Sequence, residues 1–138
     1  MAPCDGPVVT LDTNIAIYAF SDAGRKAALA WEALARSSFV SVQLLNEFTN
    51  VLLRKRGLPW SRVTSLLGSL SESVDLVLPL TAANHREGVR IAQRYKLGIH
   101  DALMLAVALG GGARTIYSED MHHDLVIDDT LRIVDPFR

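Results

Sequence analysis

The 138-residue chain is short of several things, and each shortage removes a class of protein. A single cysteine, Cys4, cannot close an internal disulfide, and neither cysteines nor a suitably spaced histidine pair offer a zinc site. Neither sign of charge is in surplus: 14 basic and 15 acidic residues give a formal net charge of -1, so any basic surface must be local. No charged and then apolar leader opens the chain, which predicts an intracellular, cytoplasmic protein. No apolar run approaches the roughly 18 residues needed to cross a bilayer. The longest, Ala102 to Gly112, predicts a buried helix and no membrane role. With 49% hydrophobic residues the chain can bury one proper core but is too short for two, so residues 1–138 are expected to form a single domain.

What is present is an alternation of short apolar runs with helical periods. Val8 to Leu11 has no polar alternation beyond Thr10, the pattern of a strand buried on both faces in a parallel sheet. A helix from Asn14 to Phe20 follows, then a break at Asp22 to Gly24. The next helix, Arg25 to Arg36, is expected to turn Ala28, Trp31, Leu34 and Ala35 inward. Phe39 to Val42 predicts a second strand. The helix from Gln43 carries Leu44, Leu45, Phe48, Val51 and Leu52 and stops at Arg54, Lys55, Arg56 and Gly57. Pro59 and Ser61 open a helix through Val63, Leu66, Leu67 and Leu70, and Asp75 to Leu78 predicts a third strand, stopped by Pro79. Thr81 should cap a helix with Val89, Ile91 and Ala92 inward and Arg86, Arg90 and Arg94 outward. His100 and Asp101 begin the apolar helix, which three glycines end. Thr115 to Ser118 and Leu131 to Val134 are the fourth and fifth strands. This order predicts a three-layer α/β/α sandwich on a parallel five-stranded sheet.

Asp12 ends the first strand, on the sheet edge where open α/β folds bind ligands. Glu47, Asp101 and Asp120 fall at or just beyond comparable strand ends. Four bare carboxylates in one partly buried pocket would repel one another by kilocalories, and a bound cation resolves the repulsion. All-oxygen ligation suits Mg²⁺ or Mn²⁺. Such an ion binds phosphate oxygens and lowers the pKa of an attacking water, which is the chemistry of phosphodiester hydrolysis. Other roles are open to the same residues. Asp12 suits a cap of its strand end, Asp101 the N-cap of its helix and Glu47 a solvated helix face, and Glu119, Asp124, Asp128 and Asp129 crowd the loop of Asp120. Asp124 is the alternative fourth acid.

Four segments together resemble the PIN-domain family, and within it the VapC-type toxin ribonucleases. They are Val9-Thr10-Leu11-Asp12-Thr13-Asn14, Ser41-Val42-Gln43-Leu44-Leu45-Asn46-Glu47-Phe48, His100-Asp101-Ala102-Leu103 and Tyr117-Ser118-Glu119-Asp120. The resemblance spans essentially the whole chain. It implies metal coordination by Asp12 and Asp101, with Glu47 completing the cluster directly or through water and Asp120 lining it. Thr13, Asn14 and Ser118 become polar groups that orient acids or substrate. His100 stands where the family often has an aromatic residue, and it could contact phosphate or move a proton; the bland alternative is a packed or solvent-facing ring. The implied activity is a Mg²⁺-dependent endoribonuclease, the toxin of a type II toxin-antitoxin pair. The implied partners are an RNA substrate, a cognate antitoxin and a second copy of the chain.

Arg86, Arg90 and Arg94, or Arg54, Lys55 and Arg56, are candidate RNA contacts, since phosphate contacts carry most non-specific affinity; a solvated face is the alternative. His122 and His123 lack ligand spacing and are expected at the surface. Trp31, Phe39 and Trp60 are expected in the core, although the family's antitoxin groove and dimer surfaces lie among the same helices. Two other functions fit the pattern in outline. A phospho-receiver module needs an acceptor aspartate after strand three and a lysine after strand five, but strand three ends in Leu78-Pro79 and the lysines are Lys26, Lys55 and Lys96. A catalytically inactive binding module would not need the full acidic set.

Overall fold

The computed structural model describes residues 7–138, so Cys4 lies outside the described residues. Along the chain run β1 (Val9–Leu11), α1 (Thr13–Ala19), α2 (Arg25–Arg36), β2 (Phe39–Ser41), α3 (Val42–Arg54), α4 (Trp60–Glu72) and β3 (Leu76–Leu78). They are followed by α5 (Ala82–Tyr95), α6 (Ile99–Gly110), β4 (Thr115–Tyr117), β5 (Val126–Ile127) and β6 (Leu131–Val134). The local chemistry accounts for the boundaries. Thr81 and Asn84 form a reciprocal capping box at α5, and Lys96 closes that helix in the left-handed conformation. Ser41 caps α3 by accepting a hydrogen bond from Leu44 N at 3.0 Å.

All five expected strands form and are parallel where they pair. β1, β4 and β6 make one ladder and β2 and β3 a second. The two ladders meet at β1 and β2, where Ser38 N donates to Val9 O at 2.9 Å and the Thr10 hydroxyl donates to Phe39 O at 2.7 Å. The parallel strands therefore lie in the order β3-β2-β1-β4-β6. A receiver-type sheet is ordered 2-1-3-4-5, so the topology removes that alternative. A sixth strand, β5, was not expected; it pairs antiparallel with β6. Asp128 and Asp129, with φ of 50° and 56°, make the tight turn between them. Positive φ at both central positions gives the type I′ geometry that suits a twisted hairpin.

Helices cover the sheet to complete a three-layer α/β/α sandwich, with α2 against β1 and α6 against β2 and β6. The core includes Leu11, Ile15, Leu34, Phe48, Leu105, Ile116 and Ile133, all buried. α6 is buried almost throughout from Ala102 to Ala108, as its uninterrupted apolar sequence requires.

Three expectations about burial need correction. α2 turns Ala30, Ala33 and Leu34 inward, so Ala28 and Ala35 face solvent and Trp31 is 47% exposed, edge-on to Phe20. Small alanines let that helix lie close, and a tryptophan on the same line would hold it away. Trp60 is 62% exposed at the start of α4, whereas Phe39 is buried as expected. On α5 the inward residues are Gly88 and Ile91, and Val89 is exposed. A side chain at Gly88 would meet Leu103 Cδ2 at 2.8 Å, so the glycine is what lets α5 and α6 pack together.

Candidate carboxylate centre

Asp12 leaves β1 and becomes the cap of α1. Its Oδ1 accepts from Thr13 N at 2.7 Å and its Oδ2 from the Ser118 hydroxyl at 3.0 Å. Ser118 follows β4, the neighbour of β1, so the parallel register delivers the hydroxyl to the acid. Burial pushes Asp12 up to about 7; these two hydrogen bonds oppose the rise, and the charges of Asp101 and Glu47 add to it. A rise of about 3 units corresponds to about 4 kcal/mol against the ionised form. Asp12 is therefore both a cap and a strained carboxylate.

Glu47 lies one turn into α3, where Thr13 Oγ1 donates to its Oε1 at 3.4 Å and Gln43 Nε2 to its Oε2 at 2.8 Å. Burial raises its pKa, with Asp101 adding to the rise and Gln43 and His100 opposing it. Asp101 is in the first turn of α6, but the cap of that helix is Gly98, so the capping alternative does not hold. Its pKa is raised by burial and then by Asp120. Asp120 accepts a hydrogen bond from Asn14 Nδ2. Asp124, the alternative fourth acid, instead pairs with Arg132 and His123 at 3.4 Å each. The fold thus couples Asp12, Glu47 and Asp101 to one another and Asp101 to Asp120, with Thr13 bonded to both Asp12 and Glu47, Ser118 to Asp12 and Asn14 to Asp120.

No lysine or arginine among the described residues forms an ion pair with any of the four acids. Nor do three of the acids, as placed, close around one point as a ready-made metal cage. A magnesium-like ion keeps several waters and uses one or two carboxylates together with substrate phosphates, so it does not require a cage of three ready-placed acids. An all-oxygen donor set short of positive charge fits that group.

One residue passed over as a site candidate is Gln43. It is buried, and its amide reaches Glu47 and, at 3.2 Å, His100 Nδ1. A glutamine four residues before the acid, in an otherwise apolar register, was the available signal. His100 belongs to the site by the same contact.

Two clefts flank the acids along α3. One, of about 560 Å³, is lined by Gln43, Asn46, Glu47, Asn50 and His100. The other, of about 250 Å³, has Asn14, Tyr18, Glu119 and Asp120 on one wall and Val51, Lys55 and Arg56 on the other. The α3 terminus therefore supplies cations beside the acids. The α5 stripe does not do so freely: Arg90 is held by Asp128 and Glu87, and Arg94 lies over the Tyr95 ring at 5.4 Å.

The architecture is an α/β sandwich with acids at the C-terminal edge of its parallel strands, the edge where open α/β folds bind ligands. The model of the PIN domain matches residues 9–126, and the chain belongs to that family. No curated protein sequence matches it. Among solved structures it is similar to a chain of the VapBC2 complex of Rickettsia felis bound to a DNA fragment from its promoter, with a TM-score of 0.68 and 18% identity over 93% of this chain and 99% of that one. It is also similar to VapC20 of Mycobacterium tuberculosis, described as a toxin cleaving the sarcin-ricin loop, with a TM-score of 0.65 and 21% identity over 81% and 89%. A toxin-antitoxin complex from Klebsiella pneumoniae gives a TM-score of 0.65 and 22% identity over 94% and 97%. At these identities the likeness establishes the fold.

Proposed function

We propose that the chain is a Mg²⁺-dependent endoribonuclease, with Mn²⁺ as a substitute ion, and acts as the toxin of a type II toxin-antitoxin pair in the cytoplasm. The observation that carries this reading is Asp12, a buried carboxylate pushed up to about 7 beside Glu47 and Asp101 and left without a cationic side chain. Asp12 and Asp101 would hold the ion, with Glu47 and Asp120 completing its surroundings directly or through water. When bound, the ion supplies charge for the scissile phosphate and lowers the pKa of water. The chain's own contribution is orientation. Ser118 and the α1 amide hold Asp12, Thr13 and Gln43 hold Glu47, and Asn14 holds Asp120. Lys55 and Arg56 receive backbone phosphates, in preference to the Arg86, Arg90 and Arg94 stripe.

The antitoxin would take the largely apolar cleft of about 190 Å³ between α1, α3 and α4, lined by Ile17, Phe20, Phe48, Leu52, Leu58 and Leu66 together with Arg56 and Arg62. Two of the similar structures are toxin-antitoxin assemblies. A second copy would cover exposed Trp60, Leu76 and Val77. No described helix is long and apolar enough to cross a membrane.

The test is cleavage of total RNA by purified protein with Mg²⁺ and with EDTA. Cleavage confined to the Mg²⁺ sample and lost in Asp12→Asn supports the enzyme. An unaltered rate in EDTA overturns the metal-dependent reading, and no cleavage at all favours an inactive binding module.

A further inference from the structure

The two clefts beside the acids differ in chemistry. The α3 terminus offers Lys55 and Arg56, point charges that hold any phosphate. The larger cleft has no lysine or arginine in its lining and offers, beside the Glu47 carboxylate of the acid centre, carboxamides and one imidazole. Asn46 and Asn50 stand one turn apart on α3 and are exposed, and among the described residues neither side chain makes a hydrogen bond. Gln43 uses its amide nitrogen on Glu47 and His100, while its carbonyl oxygen accepts nothing from the described residues. No buried side-chain polar atom among those residues is sealed off without a partner, so that oxygen opens onto the cleft it lines. His100 is exposed, and its Nδ1 lies 3.2 Å from the amide nitrogen of the same glutamine.

Carboxamides present paired donors and acceptors, which match base edges and not phosphate charge. Protein recognition of single-stranded RNA reads unstacked bases by those edges and by stacking on flat rings, histidine included. We propose that the cleft of Gln43, Asn46, Asn50 and His100 is a nucleobase subsite that selects the nucleotide beside the scissile phosphate, while Lys55 and Arg56 hold the strand on the other side without regard to sequence. This rests on the ribonuclease reading for its biological use, but base selectivity is measurable without cleavage. Gln43 is a positioning residue that ties Glu47 in the acid centre to the ring of the subsite. Asn46 and Asn50 set the preference.

The experiment measures binding of fluorescent five-nucleotide oligoribonucleotides, each of a single base, in EDTA at low salt. The parent should prefer one base by about tenfold, the discrimination of one good bidentate contact. Asn46→Ala with Asn50→Ala should flatten that preference to within about twofold with folding unchanged by circular dichroism. Lys55→Ala with Arg56→Ala should weaken all four oligomers alike and reduce the salt dependence, keeping the ratio. Equal binding of all four by the parent, or a ratio that survives loss of both asparagines, overturns the subsite. A parent that cuts RNA with Mg²⁺ yet shows no preference keeps the nuclease and loses the subsite. A parent that discriminates but never cuts keeps the subsite and loses the nuclease.

Discussion

Asp12 and Asp128 each follow a short apolar strand, yet the molecule treats them in opposite ways. Asp12 is buried, lacks a cationic partner and titrates near 7. Asp128 lies in the hairpin turn, receives Arg90 and the Tyr95 hydroxyl, and is held below the usual carboxylate range mainly by Arg90. The difference comes from where the next element goes. After Asp12 the chain enters α1 and buries the acid beneath it, with Glu47 and Asp101 close by. After Asp128 it turns back at the surface. One acid stabilises its surroundings and the other burdens them, and a costly carboxylate marks function more reliably than a satisfied one.

The largest effect expected from this contrast is on cleavage. Asp12→Asn or Asp101→Asn should reduce Mg²⁺-dependent RNA hydrolysis by about a thousandfold or more, the scale on which losing a preorganised electrostatic group is felt. Asp128→Asn should leave the rate within about twofold. Comparable rates for the parent and Asp12→Asn, followed on a gel, would break the contrast.

Stability should move in the other direction, and the sign follows from proton counting. Above about pH 4 the unfolded chain has released the Asp12 proton, whereas the folded chain keeps it until about pH 7. Unfolding then releases a proton, so metal-free stability falls as pH rises through that window, by up to about 4 kcal/mol. Urea denaturation in EDTA at pH 5 and pH 8 measures the part of the fall above pH 5, roughly 3 kcal/mol. Asp12→Asn, which keeps the bonds from Thr13 and Ser118 without a charge, should remove most of it; an equal fall in the variant would show another group to be responsible.

A smaller effect is linkage to the ion. Mg²⁺ should raise the melting temperature at pH 8 by several degrees and by less at pH 5.5, where Asp12 holds its proton. The smallest concerns cations. Arg90→Ala, which removes the partner of Asp128, should change RNA affinity by less than about twofold. Lys55→Ala with Arg56→Ala should lower the slope of log affinity against log salt by roughly one to two. Equal salt slopes in the two variants would return the α5 stripe to the interface.

Much of this was legible in one dimension. Asp12 and Asp101 each put a charge against an apolar element, and such positions stand out because burial makes them expensive. The parallel strands and α6 followed from uninterrupted apolar runs. The hairpin strand β5 did not, because Val126-Ile127 is only two residues long and its turn is two aspartates in the left-handed region, which look like surface acids. Trp31 misled because the position closest to the sheet on α2 favours the smallest apolar side chain. The role of Gln43 is hidden in the sequence, since its link to His100 joins residues 57 positions apart. The arginines of α5 were correctly placed outward, and only the fold shows Arg90 occupied by an acid 38 residues away.

The side-chain bond between Thr10 and Phe39 has a consequence for how this centre tolerates change. Asp12 and Ser118 are carried by one ladder, while Gln43 and Glu47 follow the other, so the distance between the halves is calibrated where the ladders touch. Substitution of an uncharged residue at that contact, well outside the pocket, can therefore retune the grip on an ion while every acid stays in the sequence.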